Sequence, residues 1–98
     1  MSTTLYTLIA DFQAGTFISQ VNATSEKTAV EAWLESLKKE SYKIPEIGKT
    51  EINQMMQELN GEHAENPTSI LTVDNVWCLS FNLDKGYLLL NIIKTANT

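Results

Sequence analysis

Apolar residues recur at every second position from Leu5 to Ala23, at every third or fourth from Ala29 to Leu59, and at every second again from Val76 to Ile93. A period of two belongs to strands and a period near 3.6 to helices. The chain therefore predicts the order β-β-α-α-β-β. In Leu5–Phe12, Tyr6, Leu8, Ala10 and Phe12 share one face, opposite Leu5, Thr7, Ile9 and Asp11. In Thr16–Ala23, Phe17, Ser19, Val21 and Ala23 lie opposite Thr16, Ile18, Gln20 and Asn22. Taking Ala14-Gly15 as a two-residue turn pairs Gln13 with Thr16 and Phe12 with Phe17. That register brings both apolar sets to one side of the hairpin.

Ser25 is a natural N-cap, and Glu26 suits the positive end of a helix dipole. Ala29, Val30, Trp33, Leu34 and Leu37 then form a helical stripe, with Glu31, Glu35, Lys38 and Lys39 outside it. Pro45 and Gly48 interrupt the helix, and Tyr42, Ile44 and Ile47 are expected to tuck the loop against the body. A second helix is predicted from about Thr50 to Asn60 on Ile52, Met55, Met56 and Leu59, with Gly61 at its C′ position. Residues 62–67 read as a polar loop, and 69–73 as a short strand or an extended approach to the last hairpin.

That hairpin, Asn75–Lys94, is the most hydrophobic stretch. Trp77, Leu79, Phe81 and Leu83 alternate with Val76, Cys78, Ser80 and Asn82, and Leu88, Leu90 and Ile92 alternate with Tyr87, Leu89, Asn91 and Ile93. A two-residue Lys85-Gly86 turn puts Leu88, Leu90 and Ile92 with the Trp77 face. A type I turn with Gly86 as a bulge pairs Leu83 with Tyr87 and exchanges the sets. In both registers residues 87–93 carry two apolar faces, the pattern of an interior strand covered on both sides. The helices account for one cover. The other falls to the 67–74 segment, a terminus or a second copy of the chain. The expected fold is a single two-layer α+β domain over residues 1–98: a four-stranded antiparallel sheet with two helices packed on one face.

Charge narrows the function classes. Seven lysines and arginines stand against twelve acids, for a net charge of −5, and every one of the seven is lysine. Without arginine's bidentate fork, specific nucleic-acid recognition is disfavoured. Phe12, Phe17 and Phe81 lack the flanking cations of an RNA-stacking sheet and read as core. Glu51, Glu58, Glu62 and Glu65 fall in a stretch without lysine, which reads either as a surface steering basic partners or as a solvated helix face. One cysteine allows no internal disulfide, and no signal peptide or bilayer-length apolar run is evident. The expectation is a cytoplasmic protein with no membrane partner.

Candidate chemistry is sparse. His63 sits between Glu62 and Ala64-Glu65 with no HExxH or Cys/His spacing, so it reads as a loop histidine. Cys78 lies mid-strand as a small hydrophobe, which argues against a Cys78–His63 pair. Asp11, Asp74 and Asp84 lie near turns or strand ends, and Glu31 and Glu35 point outward. No carboxylates converge for acid–base work. No catalytic, metal or cofactor residues are assigned.

The opening ββα with Gly15, the Ser25 cap, Ala29 and Ala32 resembles the start of the small HicB-type antitoxin sheet over Leu5–Leu37. The Pro/Gly loop and the methionine helix that follow depart from that family, and the chain is not assigned to it. The functional expectation is a small acidic non-enzymatic interaction module, a homodimer or a protein-partner binder, such as an antitoxin, an immunity-type inhibitor or an accessory subunit. Its expected surface is Val76, Cys78, Ser80, Tyr87, Leu89 and Ile93. The alternative is a small-molecule-binding domain or minor enzyme with a pocket at Trp33, Met55, Met56 and Trp77.

Overall fold

The computed structural model describes residues 3–39, 47–60 and 66–97. Strands β1 (Thr4–Phe12) and β2 (Gly15–Ala23) precede helices α1 (Glu26–Lys39) and α2 (Lys49–Asn60). Then come a two-residue strand β3 (Thr68–Ser69) and the long strands β4 (Val76–Leu83) and β5 (Gly86–Asn97). All pairings are antiparallel, in the order β2-β1-β5-β4-β3. The expected four-stranded sheet is thus five-stranded. The added strand overlaps the start of the 69–73 segment, which reads as a short strand or an extended approach to the last hairpin, and is held by Thr68 opposite Cys78 and Ser69 opposite Trp77.

Both hairpins keep the predicted division of faces but turn one residue earlier than their glycines suggest. In the first, Phe12 pairs with Gly15 and Ala10 with Phe17, so the turn is Gln13-Ala14. Both turn residues have positive φ, 49° and 62°, as a primed turn requires to match strand twist. Gly15 serves a different need: a Cβ there would come within 2.8 Å of the Phe17 ring. In the second, Leu83 pairs with Gly86 and Phe81 with Leu88, leaving Asp84-Lys85 as the turn. Gly86 takes φ 142°, a conformation that favours glycine. Neither anticipated register is the observed one, although the faces fall as the Lys85-Gly86 register implied. The side chain of Gln13 joins the two turns by donating to the Lys85 carbonyl at 3.0 Å.

One core fills the space between the helices and one face of the sheet. Tyr6, Leu8, Ala10 and Phe12 of β1 meet Leu88, Leu90 and Ile92 of β5 and Leu79, Phe81 and Leu83 of β4 there. Ala29, Val30, Trp33, Leu34 and Leu37 of α1 close over them with Ile52, Met55 and Leu59 of α2. Ile47 is buried as expected, whereas Tyr42, Ile44 and Gly61 lie outside the described residues.

Each helix start is built locally. The Ser25 N–H donates to Thr28 Oγ1 at 2.9 Å while the Thr28 N–H donates to Ser25 Oγ at 3.2 Å, a reciprocal cap. At α2 the Gly48 N–H donates to Glu51 Oε1 at 2.8 Å. Glu51 is only 4% exposed and sits 3.7 Å from Lys85 Nζ. The acidic stretch is therefore not one solvated face: its first member is a buried helix cap. Glu58 accepts a long hydrogen bond from the Asn82 N–H, 3.4 Å, and Glu62 and Glu65 lie outside the described residues.

Candidate interaction surface

Side chains alternate across a strand, so the residues paired between strands fall into rows on the sheet face away from the helices. One row runs Ile18, Ile9, Asn91, Cys78 and Thr68 across all five strands. The next runs Gln20, Thr7, Ile93 and Val76, and on the other side lie Thr16, Asp11, Leu89 and Ser80. Tyr87 and Asn82 pair nearer the β4–β5 turn. Val76, Cys78, Ser80, Tyr87, Leu89 and Ile93 thus share this helix-free face, the place expected for an interaction surface. Tyr87 is 59% exposed and Leu89 37%.

The strand reasoning did not include Ile9 and Ile18, although they satisfy the same criterion. Ile18 is 67% exposed, and both belong to the second face of the first hairpin. Alternation alone places them opposite the core side of that hairpin. Its second face joins the Val76–Ile93 surface because β1 pairs directly with β5, a long-range pairing that strand periodicity cannot supply.

Among the described residues, interior strand β5 is covered on one face only. Of the covers expected for its back, the 67–74 segment lies instead at the sheet edge, as β3 and the turns after it. The terminal strands β1 and β5 run within the sheet rather than across it. Among the described residues, nothing lies over the Ile18–Cys78 row.

The face is polar in pattern yet almost free of charge. Its rows contain one ionisable carboxylate, Asp11, which accepts a hydrogen bond from Thr16 Oγ1 at 2.7 Å. Thr7 Oγ1 accepts from Gln20 Nε2 at 3.1 Å and also meets the Thr95 hydroxyl, forming a polar string across β2, β1 and β5. Asn91 differs. It is half-buried between Ile9 and Cys78, and among the described residues its side-chain amide has no hydrogen-bond partner. Such an amide carries unspent donors and acceptors beside apolar neighbours.

The four residues of the alternative pocket differ in burial. Trp33 and Met55 are buried members of the core, while Met56 and Trp77 only flank it. They act as packing anchors, as aromatic and methionine side chains on helical stripes generally do. Met56 does line an open groove, but with Asn53, Gln57 and Asn60 of its own helix. A smaller recess of about 240 Å³ is lined, among the described residues, by Lys38, Lys49, Ile52 and Asn53, which hold no acid–base pair. Trp77 instead meets Tyr6, ring centroids 6.2 Å apart and tilted by 53°. Burial, and then the Glu26 carboxylate, raise the Tyr6 hydroxyl above the ordinary value of 10.0.

Among the described residues no group of three or more His, Cys, Asp or Glu side chains could hold a metal ion. His63 lies outside them, so its relation to the free Cys78 thiol is not described. No described helix is long and apolar enough to cross a membrane. Comparison with protein-family models, with curated proteins and with solved structures finds no match.

Proposed function

We propose that the chain is a non-enzymatic protein-interaction module whose working surface is the helix-free face of the sheet. The observation that carries this reading is a nearly charge-free face on a chain of net charge −5, centred among Ile9, Cys78, Leu89 and Ile93 on the Asn91 amide, which has no hydrogen-bond partner among the described residues. Depletion of charge at the centre with a polar surround is the composition of protein interfaces. A partner offering one donor and one acceptor opposite Asn91, with apolar groups around them, satisfies both needs. The lysines and glutamates of α1 and α2 lie in the other layer, which leaves the face itself with little charge to repel a partner.

The test is capture with the chain as bait, comparing the natural protein with Leu89→Lys. Leu89 lies within the face and is partly exposed, so lysine there charges the surface while the core stays intact. A protein retained by the natural chain and lost with Leu89→Lys, at unchanged circular dichroism, supports the reading. Retention that ignores Leu89→Lys would assign binding to another surface. Retention of nothing by either bait would remove the reading.

A further inference from the structure

The two edges of the sheet are treated differently. At the β4 edge, β3 pairs with part of the strand, the Ile70 N–H donates to the Val76 carbonyl at 3.2 Å, and α2 reaches over the rest. Glu58 accepts from the Asn82 N–H and Gln54 from the Asp84 N–H, both at 3.4 Å. At the opposite edge, among the described residues, β2 has only β1 beside it. The residues flanking a two-residue turn form a hydrogen-bonded pair, and such pairs alternate along an antiparallel ladder. Phe12–Gly15 is that pair here, so Ala10–Phe17, Leu8–Ser19 and Tyr6–Val21 are hydrogen-bonded too. The N–H and C=O groups of Thr16, Ile18, Gln20 and Asn22 therefore point away from the sheet. Among the described residues they have no backbone partner.

Edge strands are normally guarded by lysine, proline, a bulge or a covering element. β2, GTFISQVNA, contains no charged residue and no proline. It keeps register with β1 along its whole length, and its outermost apolar side chain, Ile18, is largely exposed. We infer that β2 is the seam of a homodimer, in which two copies pair antiparallel through β2 and double the five-stranded sheet.

A second copy is the occupant because the strand is complementary to itself. One two-fold register, centred on Ser19, engages all four outward-pointing residues: Thr16 opposite Asn22 and Ile18 opposite Gln20 of the other copy. On the helix side it places Phe17 opposite Val21 of the other copy, twice by symmetry. This is the aromatic–β-branched pairing that stabilises neighbouring strands, and it covers two side chains that the core leaves only partly buried. On the open side the two Ile18 side chains become diagonal neighbours. Charge agrees: two chains of −5 approach most easily along a neutral strand, whereas a basic extended peptide would find no carboxylate on it. The dimer also joins two helix-free faces into one continuous surface. The inference thereby extends the proposed interaction role, yet it can fail separately from it.

The experiment measures solution mass by light scattering over a range of concentrations, on the natural chain, Ile18→Lys, Ile18→Pro and Leu89→Lys. The expected result is twice the 11.0 kDa of one chain for the natural protein and Leu89→Lys, and one chain for both Ile18 variants with unchanged circular dichroism. The register is read with Ser19→Cys in a Cys78→Ser background. Residues opposite each other at a non-hydrogen-bonded position lie within disulfide reach, so oxidation yields a covalent dimer, while Gln20→Cys in the same background yields little. A monomeric natural chain at every concentration, including one that adds a strand only from another protein, overturns the seam. So does a dimer lost with Leu89→Lys but kept by Ile18→Lys, which would place two copies face to face and leave the interaction role standing.

Discussion

Glu51 shows how much one side chain can settle in a protein of this size. Its carboxylate accepts the Gly48 N–H at the start of α2 and faces Lys85 in the β4–β5 turn, so it ties a helix end to a hairpin while buried. Losing a helix cap generally costs about 0.5–2 kcal/mol. Glu51→Ala is expected to fall in that range by urea denaturation. Glu51→Gln should recover part of it, because glutamine still offers an oxygen to Gly48. Equal losses for the two variants would mean that the Lys85 ion pair, not the cap, dominates. Tyr6 makes a different prediction. Its folded hydroxyl holds its proton to higher pH than the unfolded one. The associated stability is complete below the unfolded value near 10 and declines as the pH rises through the folded one. Comparing the unfolding free energy of the natural chain and Tyr6→Phe from pH 8 upward isolates this contribution. A gap between the two proteins that does not change with pH would contradict it.

At the scale of elements, the hairpins carry opposite strain. Ala14 holds φ 62°, a left-handed conformation that costs an L-residue about 1–2 kcal/mol. Ala14→Gly is therefore expected to stabilise the protein by up to about 1 kcal/mol, the relieved strain being offset in part by the greater freedom of the unfolded chain. Gly86→Ala should do the reverse. Its φ of 142° leaves open space for a Cβ, so the loss of about 1–3 kcal/mol is backbone strain alone. Thermal unfolding of the two variants checks both signs. Sequence reasoning put both glycines inside the turns because Gly is the usual residue at positive φ. In the first hairpin Gln and Ala accept that conformation, and Gly15 is needed where the Phe17 ring lies. The faces were still legible, since moving a two-residue turn by one position changes the partners but not which side they share.

Across the whole molecule, the N-terminal and C-terminal strands lie side by side at the sheet centre, with the helices on one face and nothing described on the other. That leaves Asn91 in the middle of a sheet, half-buried and, among the described residues, without a hydrogen-bond partner. Replacing a polar group that gains no hydrogen bond by a β-branched apolar one favours a central strand. Asn91→Val is thus expected to raise the stability of the isolated chain by about 0.5–1 kcal/mol in urea denaturation. If Asn91 exists for a partner, the same change weakens capture despite the more stable fold. A destabilised Asn91→Val chain would mean that the amide already has a role within the monomer.

Local pattern alone determined the four long strands and the two helices, the Ser25 cap and the core faces of both hairpins. These are local properties, carried by residues two to four positions apart. The pairing of β1 with β5, the short β3 at one edge, the burial of Glu51 and the joining of Ile9 and Ile18 to the Val76–Ile93 surface were decided only in the tertiary structure. Each depends on which distant segments meet, and a side chain's alternation says which way it points but not what stands beside it. Among the described residues, the uncovered back of the sheet and the unguarded β2 edge follow from that arrangement.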